Sequence, residues 1–217
     1  MSSNTDPQPS PPDITQAYWH FLLTEGKRPA SVYGFTEKLG ISEEDFYQQA
    51  SSFESLESRY WLSLVEETIA VLDSDDDYPE YPAEQKLLAF YYTFIAHAQK
   101  HRSRLVEFFP RPGCYQSVKA MRQRFVAFAS EIITQGLEEG SIADRKKLTE
   151  KYPQLMFEQL RSVIEFYRKD HSEEFQDTDA FIEKSVRLGA DLSRNGSLDS
   201  AIDLGRFLLR RFTLPDA

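Results

Sequence analysis

Two histidines, His97 and His101, lie four residues apart, a spacing that puts both on one face of a helix and within reach of a single metal ion. Their motif, HAQKH, lacks the glutamate of a zinc-hydrolase helix and no third ligand is obvious, so no metal site is expected. A polar lip to a cavity, or plain surface histidines, accounts for the pair, and His20 and His171 stand alone. Cys114 is the single cysteine, set in a Pro-Gly turn with no paired histidine to take its proton, so it has little of a nucleophile about it. The acids between 73 and 82 lack the turn glycine and closing glutamate of a calcium loop and read as a solvated loop. Without a glycine-rich phosphate loop or an acid–base pair, neither enzymatic activity nor a cofactor is expected.

Composition narrows the classes further. The 217 residues hold 35 Asp and Glu against 25 Lys and Arg, a formal net charge of −10. That length suits one large or two small domains with an ample core. No run approaches the roughly 18 apolar residues of a membrane span. No basic stretch followed by an apolar one opens the chain, so no secretory signal is expected. A lone cysteine excludes an intramolecular disulfide and makes a reducing cytoplasm the expected home. The acidity argues against general nucleic-acid binding, which ordinarily shows as a basic domain.

The elements that must position any site are helical. Residues 1–12, rich in Ser and Pro, read as a disordered tail. Ile14, Ala17, Tyr18, Phe21 and Leu22 then follow the spacing of one helix face, closed by Gly26. A short helix at about 30–39 stops at Gly40. Ser42 stands where an N-cap belongs, with Glu43, Glu44 and Asp45 in the first turn, where the helix dipole favours acids. Further helices are expected at about 55–72, 83–109, 115–138, 143–171, 177–194 and 198–212. No segment alternates as a half-buried strand does, so the fold class is all-α.

Residues 24–56, TEGKRPASVYGFTEKLGISEEDFYQQASSFESL, hold the most specific pattern: two short helices around a glycine turn, the second opening on a capping serine. That is the layout of a helix-turn-helix. Glu25-Gly26, Ser31-Val32, Phe35, Leu39, Gly40, Ile41, Ser42, Phe46-Tyr47, Ser52, Glu54 and Leu56 together resemble the N-terminal domain of TetR-type transcriptional regulators. The resemblance covers about the first third of the chain. It implies a three-helix domain at 13–52 and a helical ligand-binding and dimerisation domain at 53–217. On such a scaffold the candidates for DNA contact are Ser31, Ser42, Tyr47, Gln48 and Gln49.

The departures from the family pattern concern charge. The family's Lys and Gly after the turn serine are Glu43 and Glu44 here, and its Lys at the start of the fourth helix is Phe53. After the signature Tyr come Gln48, Gln49 and Ala50 rather than Arg or His and then His-Phe. From Leu39 to Ser58 there is no base at all. Duplex DNA is held largely by Lys and Arg on phosphates, which position a motif before any base is read. Gln48 and Gln49 suit adenine edges but lack those positioning contacts.

Further along, Phe90, Tyr91, Phe94, His97, Met121, Phe125 and Phe128 are the candidates to line a pocket for a hydrophobic or isoprenoid-like ligand. Taken singly, each ring is as well explained as ordinary bundle core. Met156, Leu160, Val163 and Tyr167, with Ile182, Ser185, Val186 and Gly189, are the candidate dimer interface, because the resemblance implies a four-helix bundle across a two-fold axis. Packing within one chain is the alternative. Two functions therefore compete: a dimeric, ligand-responsive transcriptional regulator, and a TetR-like dimer that does not bind DNA and serves an isoprenoid-type lipid or a protein partner.

Overall fold

The computed structural model describes residues 13–111 and 116–194. The tail at 1–12, Cys114 and the helix expected at 198–212 lie outside the described residues. Among those described there are helices and no strand, in line with the all-α reading.

The first helix, α1 (Ile14–Glu25), opens on Asp13, whose carboxylate accepts from the Thr15 and Gln16 amides, and ends at Gly26 in the left-handed region at φ 68°. Helix α2 (Val32–Leu39) is capped by Ser31 and ended by Gly40 at φ 67°. Helix α3 (Glu43–Gln49) opens on a full capping box between Ser42 and Asp45. Helix α4 (Phe53–Asp73) follows, starting two residues before the expected 55. The acidic loop after it holds a single 3-10 turn at Tyr78–Glu80.

One long helix was expected at 83–109, and two are present, α5 (Ala83–Gln99) and α6 (Arg102–Phe108). Neither Gly nor Pro marks the break. The Lys100 amide folds back to the His97 carbonyl at 3.2 Å, and His101 leaves helical geometry at φ −134°. His97 and His101 therefore sit on different helices, which removes the shared face that their spacing suggested. Helix α7 is Lys119–Glu138. The helix expected from 143 begins as a 3-10 stretch, Lys146–Lys151, and becomes α8 (Tyr152–Lys169) with Pro153 in its first turn. Helix α9 is Gln176–Arg194.

These elements form two compact units. The first comprises the described residues up to 63 together with those from 101 to 121, which include α6. Its core is aromatic: Tyr18, Trp19, Phe35, Phe46 and Trp61 are fully buried, and Trp19 lies 5.6 Å from Trp61, edge to face. The second comprises 64–100 and the described residues from 122 onward, with α5 packed against α8 and α9. Asp170 ties α8 to α9. One carboxylate oxygen accepts from the Ser172 amide and hydroxyl at 2.8 and 2.6 Å, the other from the Thr178 amide and hydroxyl at 2.9 and 2.6 Å. Burial pushes this carboxyl up, but those four bonds outweigh it and hold the pKa at about 2.

Candidate functional site

The helix-turn-helix scaffold is complete down to its core. Phe35 of α2 and Phe46 of α3 meet edge to face at 6.3 Å, and Phe53 stacks on Tyr18 at 5.1 Å while touching both. The ring that stands where the family carries a lysine thus completes the packing of the domain instead of reaching outward. Below it, Glu57 is buried and accepts from the Tyr18 hydroxyl at 2.6 Å and from Arg28 Nε at 2.8 Å. Arg28 also pairs with the second oxygen of Glu57. Burial first, and the Glu57 contact second, push the Tyr18 hydroxyl well above its ordinary pKa. This clasp joins α1, the segment before α2, and α4.

Of the polar groups that are candidates for DNA contact, Ser31, Ser42, Tyr47 and Gln48 are exposed and Gln49 is half-buried, and the two serines cap the helices that follow them. The Ser42 hydroxyl donates to Asp45 at 2.7 Å and accepts from the Asp45 amide at 3.1 Å. The Ser42 bonds in turn hold the Asp45 carboxyl below its usual range, so the negative charge in the first turn of α3 is kept. Ser31 accepts from the Gly34 amide at 3.0 Å, and Gln49 accepts from the Ile14 amide at 3.5 Å. Tyr47 and Gln48 project into solvent with polar atoms outside these bonds, beside exposed Glu43 and Glu44. Lys38 lies 4.8 Å over the Phe21 ring, and Arg28 is held by Glu57.

In the second unit, the predicted pocket residues and the actual pocket separate. Phe90, Tyr91, Phe94, Phe125 and Phe128 are buried there and His97 is half-buried, while Met121, the last residue of the first unit, is buried too. Phe90 packs against Phe125 and Phe128 at 5.0 and 4.9 Å. These rings form a closed core, and the Tyr91 hydroxyl donates to the Met156 carbonyl at 3.1 Å. None of the seven lines the pocket that exists.

That pocket, of about 240 Å³, lies toward one end of the same unit. The start of α5 supplies Ala83, Glu84 and Leu87, and the end of α7 supplies Ile132 and Ile133. Ser141 and Ile142 close it from the following loop. The start of α8 adds Tyr152, Leu155, Met156 and Gln159, and the end of α9 adds Val186, Gly189, Ala190, Leu192 and Ser193. Ile142 can reach the wall only because α7 carries Gly136 opposite it: a Cβ there would meet the Ile142 side chain at 2.5 Å. That mid-helix glycine and the isoleucines around it were the available signal, and aromatic content pointed elsewhere.

The eight interface candidates divide in the same way. Leu160, Val163, Tyr167 and Ile182 are fully buried and Val186 almost so, all within one chain. Met156 and Ser185 are half-buried, and Gly189 is exposed with nothing within 4 Å of a would-be Cβ. The outward face of α8 and α9 instead carries Leu155 at 52% and Leu188 at 59% exposure, with Phe166 stacked flat on Phe181 at 4.6 Å.

Residues 86–208 match the family model described as "Tetracyclin repressor-like, C-terminal domain". The chain belongs to the TetR family. A solved structure of a proposed TetR-family transcription regulator from Shewanella sp. PV-4 is similar over 79% of this chain and 95% of that one, with a TM-score of 0.53. At 14% identity the likeness speaks for the TetR fold alone. No curated protein matches the chain. Among the described residues of this TetR-family protein, no helix is long and apolar enough to cross a membrane.

Proposed function

We propose that this TetR-family protein is a dimeric, non-enzymatic regulator of the cytoplasm that senses a hydrophobic small molecule. The observation that carries the reading is the pocket among α5, α7, α8 and α9, whose wall is almost entirely apolar. The second copy docks on the outward face of α8 and α9, where Leu155, Phe166, Phe181 and Leu188 form an apolar surface around Ser162, Ser185 and Gly189. Small residues there let helix backbones approach, and a solvent-facing glycine in mid-helix otherwise only costs helix stability. Since Leu155 and Gly189 also line the pocket, ligand and partner subunit share a wall, which gives the ligand a route to the dimer geometry.

A second reading concerns the output. The acidic α3 favours a target other than duplex DNA, either a protein partner or a role in handling an isoprenoid-type lipid, because its first turn exposes Glu43 and Glu44 and residues 39–58 hold no cation to offset them. A binding assay on the DNA upstream of the protein's own gene, at low salt, separates the two. Tight, sequence-dependent and salt-sensitive binding supports transcriptional output; its absence at micromolar protein supports the second reading. Thermal unfolding with and without an extract of cellular lipids tests sensing itself, and a midpoint unmoved by every fraction counts against it.

A further inference from the structure

The chemistry of the pocket wall defines its ligand more narrowly than hydrophobicity does. The apolar groups are aliphatic: Leu87, Ile132, Ile133, Ile142, Val186 and Leu192 surround the space, and Tyr152 brings the one ring among the described lining residues. The phenylalanines of this unit are packed on one another elsewhere. A flat aromatic ligand gains most from ring faces to stack on, whereas flexible, branched aliphatic walls suit a hydrocarbon chain.

Three polar side chains of the lining are bonded within the protein. Ser141 donates to the Gly136 carbonyl at 3.2 Å and Ser193 to the Ala190 carbonyl at 2.8 Å. Gln159 uses both ends of its amide, donating to Ser185 at 3.1 Å and accepting from Tyr91 at 3.2 Å. The charged group in the described lining is Glu84, a carboxylate. Arg145 stands on the loop nearby, outside the lining, and reaches the Ser193 carbonyl at 3.5 Å. A ligand with an anionic head would face Glu84 at the wall and find no lining cation among the described residues.

Resting on the ligand-sensing reading above, we propose that the pocket binds a neutral aliphatic chain of medium length, recognised by its hydrocarbon rather than by its head group. A single water needs only about 10–15 Å³ of such space, so the pocket is large enough for a chain of several methylenes. Each methylene added inside the pocket contributes about a fourfold gain in affinity, and the gain stops when the pocket is full.

The experiment is calorimetric titration of the full chain with 1-alkanols from four to fourteen carbons, with octanoate and 1-naphthol as comparators. The expected profile climbs about fourfold per carbon, levels off within the series as the pocket fills, and places 1-octanol well above octanoate. Ala190→Phe, which fills the pocket mouth, is expected to abolish the climb, and Met156→Ala to move the plateau to longer chains. The wild-type profile stands without either variant if one fails to fold. A flat profile with 1-naphthol bound and blocked by Ala190→Phe overturns the aliphatic assignment while leaving ligand sensing intact. Octanoate binding more tightly than 1-octanol overturns the neutral head. If neither alkanols nor 1-naphthol bind, the assignment fails and the sensing reading loses the site that carries it.

Discussion

The two units of this chain treat their polar and apolar groups in opposite ways. In the N-terminal unit the polar side chains that a helix-turn-helix would offer to DNA are bonded back into the protein: Ser42 to Asp45, Ser31 to the Gly34 amide, Gln49 to the Ile14 amide. Its rings close on one another around Phe53. In the second unit the rings likewise close into a core, yet α5, α7, α8 and α9 leave an aliphatic space unfilled at one end. The lesson is that a family scaffold can keep a closed core in both units while the groups left outside that core differ in chemistry from one unit to the other. Packing and binding draw on different residues, so they vary separately.

The comparison breaks or sharpens under four perturbations. The largest effect is expected from Phe166→Glu combined with Leu188→Glu. Each charge enters a two-fold interface twice, so dimerisation should weaken at least about a hundredfold, read by light scattering against dilution. A wild-type monomer at micromolar concentration would remove the α8–α9 interface altogether. Next, Glu57→Ala strands the buried Tyr18 hydroxyl and releases Arg28 to solvent, at an expected cost of about 2 kcal/mol in the N-terminal unit by denaturant unfolding. Pocket affinity should stay unchanged, because the clasp and the pocket lie in different units.

Glu43→Lys with Glu44→Lys tests whether charge alone separates α3 from a DNA-binding helix. Non-specific duplex affinity at low salt should rise about tenfold, and the dependence on log salt should steepen by about two per subunit. No change would mean that the geometry of the motif, and not its charge, departs from a DNA reader. The smallest and most confined effect is at Asp170, whose folded pKa of about 2 lies below the roughly 3.9 of an unfolded aspartate. A depressed carboxyl contributes stability that is present above about pH 4 and is lost as the pH falls toward 2. The stability gap between the wild type and Asp170→Asn should therefore narrow across that window and stay constant above it.

Much of the fold was legible from local chemistry. Gly26, Gly40 and Ser42 ended or opened helices where their types predicted, because left-handed glycines and hydroxyl caps act within a turn of the backbone. The split between α5 and α6 was not legible, since Lys100 and His101 carry no breaker and only the fold bends them. The pocket candidates and the pocket among α5, α7, α8 and α9 share no residue. Phe90, Phe94 and Phe125 promised an apolar interior, and the interior exists, but the rings fill it. Leu160 and Ile182 promised an apolar helix face, and that face is spent inside one chain, while Leu155 and Leu188 look outward.

By itself the sequence determined the all-α class, the helix-turn-helix, the family and the acidity of α3. Each of these depends on residue type and short-range spacing, which no tertiary contact alters. Tertiary packing alone settles which apolar residues are core, which line a space and which face outward. An amphipathic helix announces that it has an apolar side, but where that side ends up depends on the angle at which its neighbours arrive. In this chain that angle left room beside the far ends of α7 and α9, where Gly189 lines the space with no side chain to fill it.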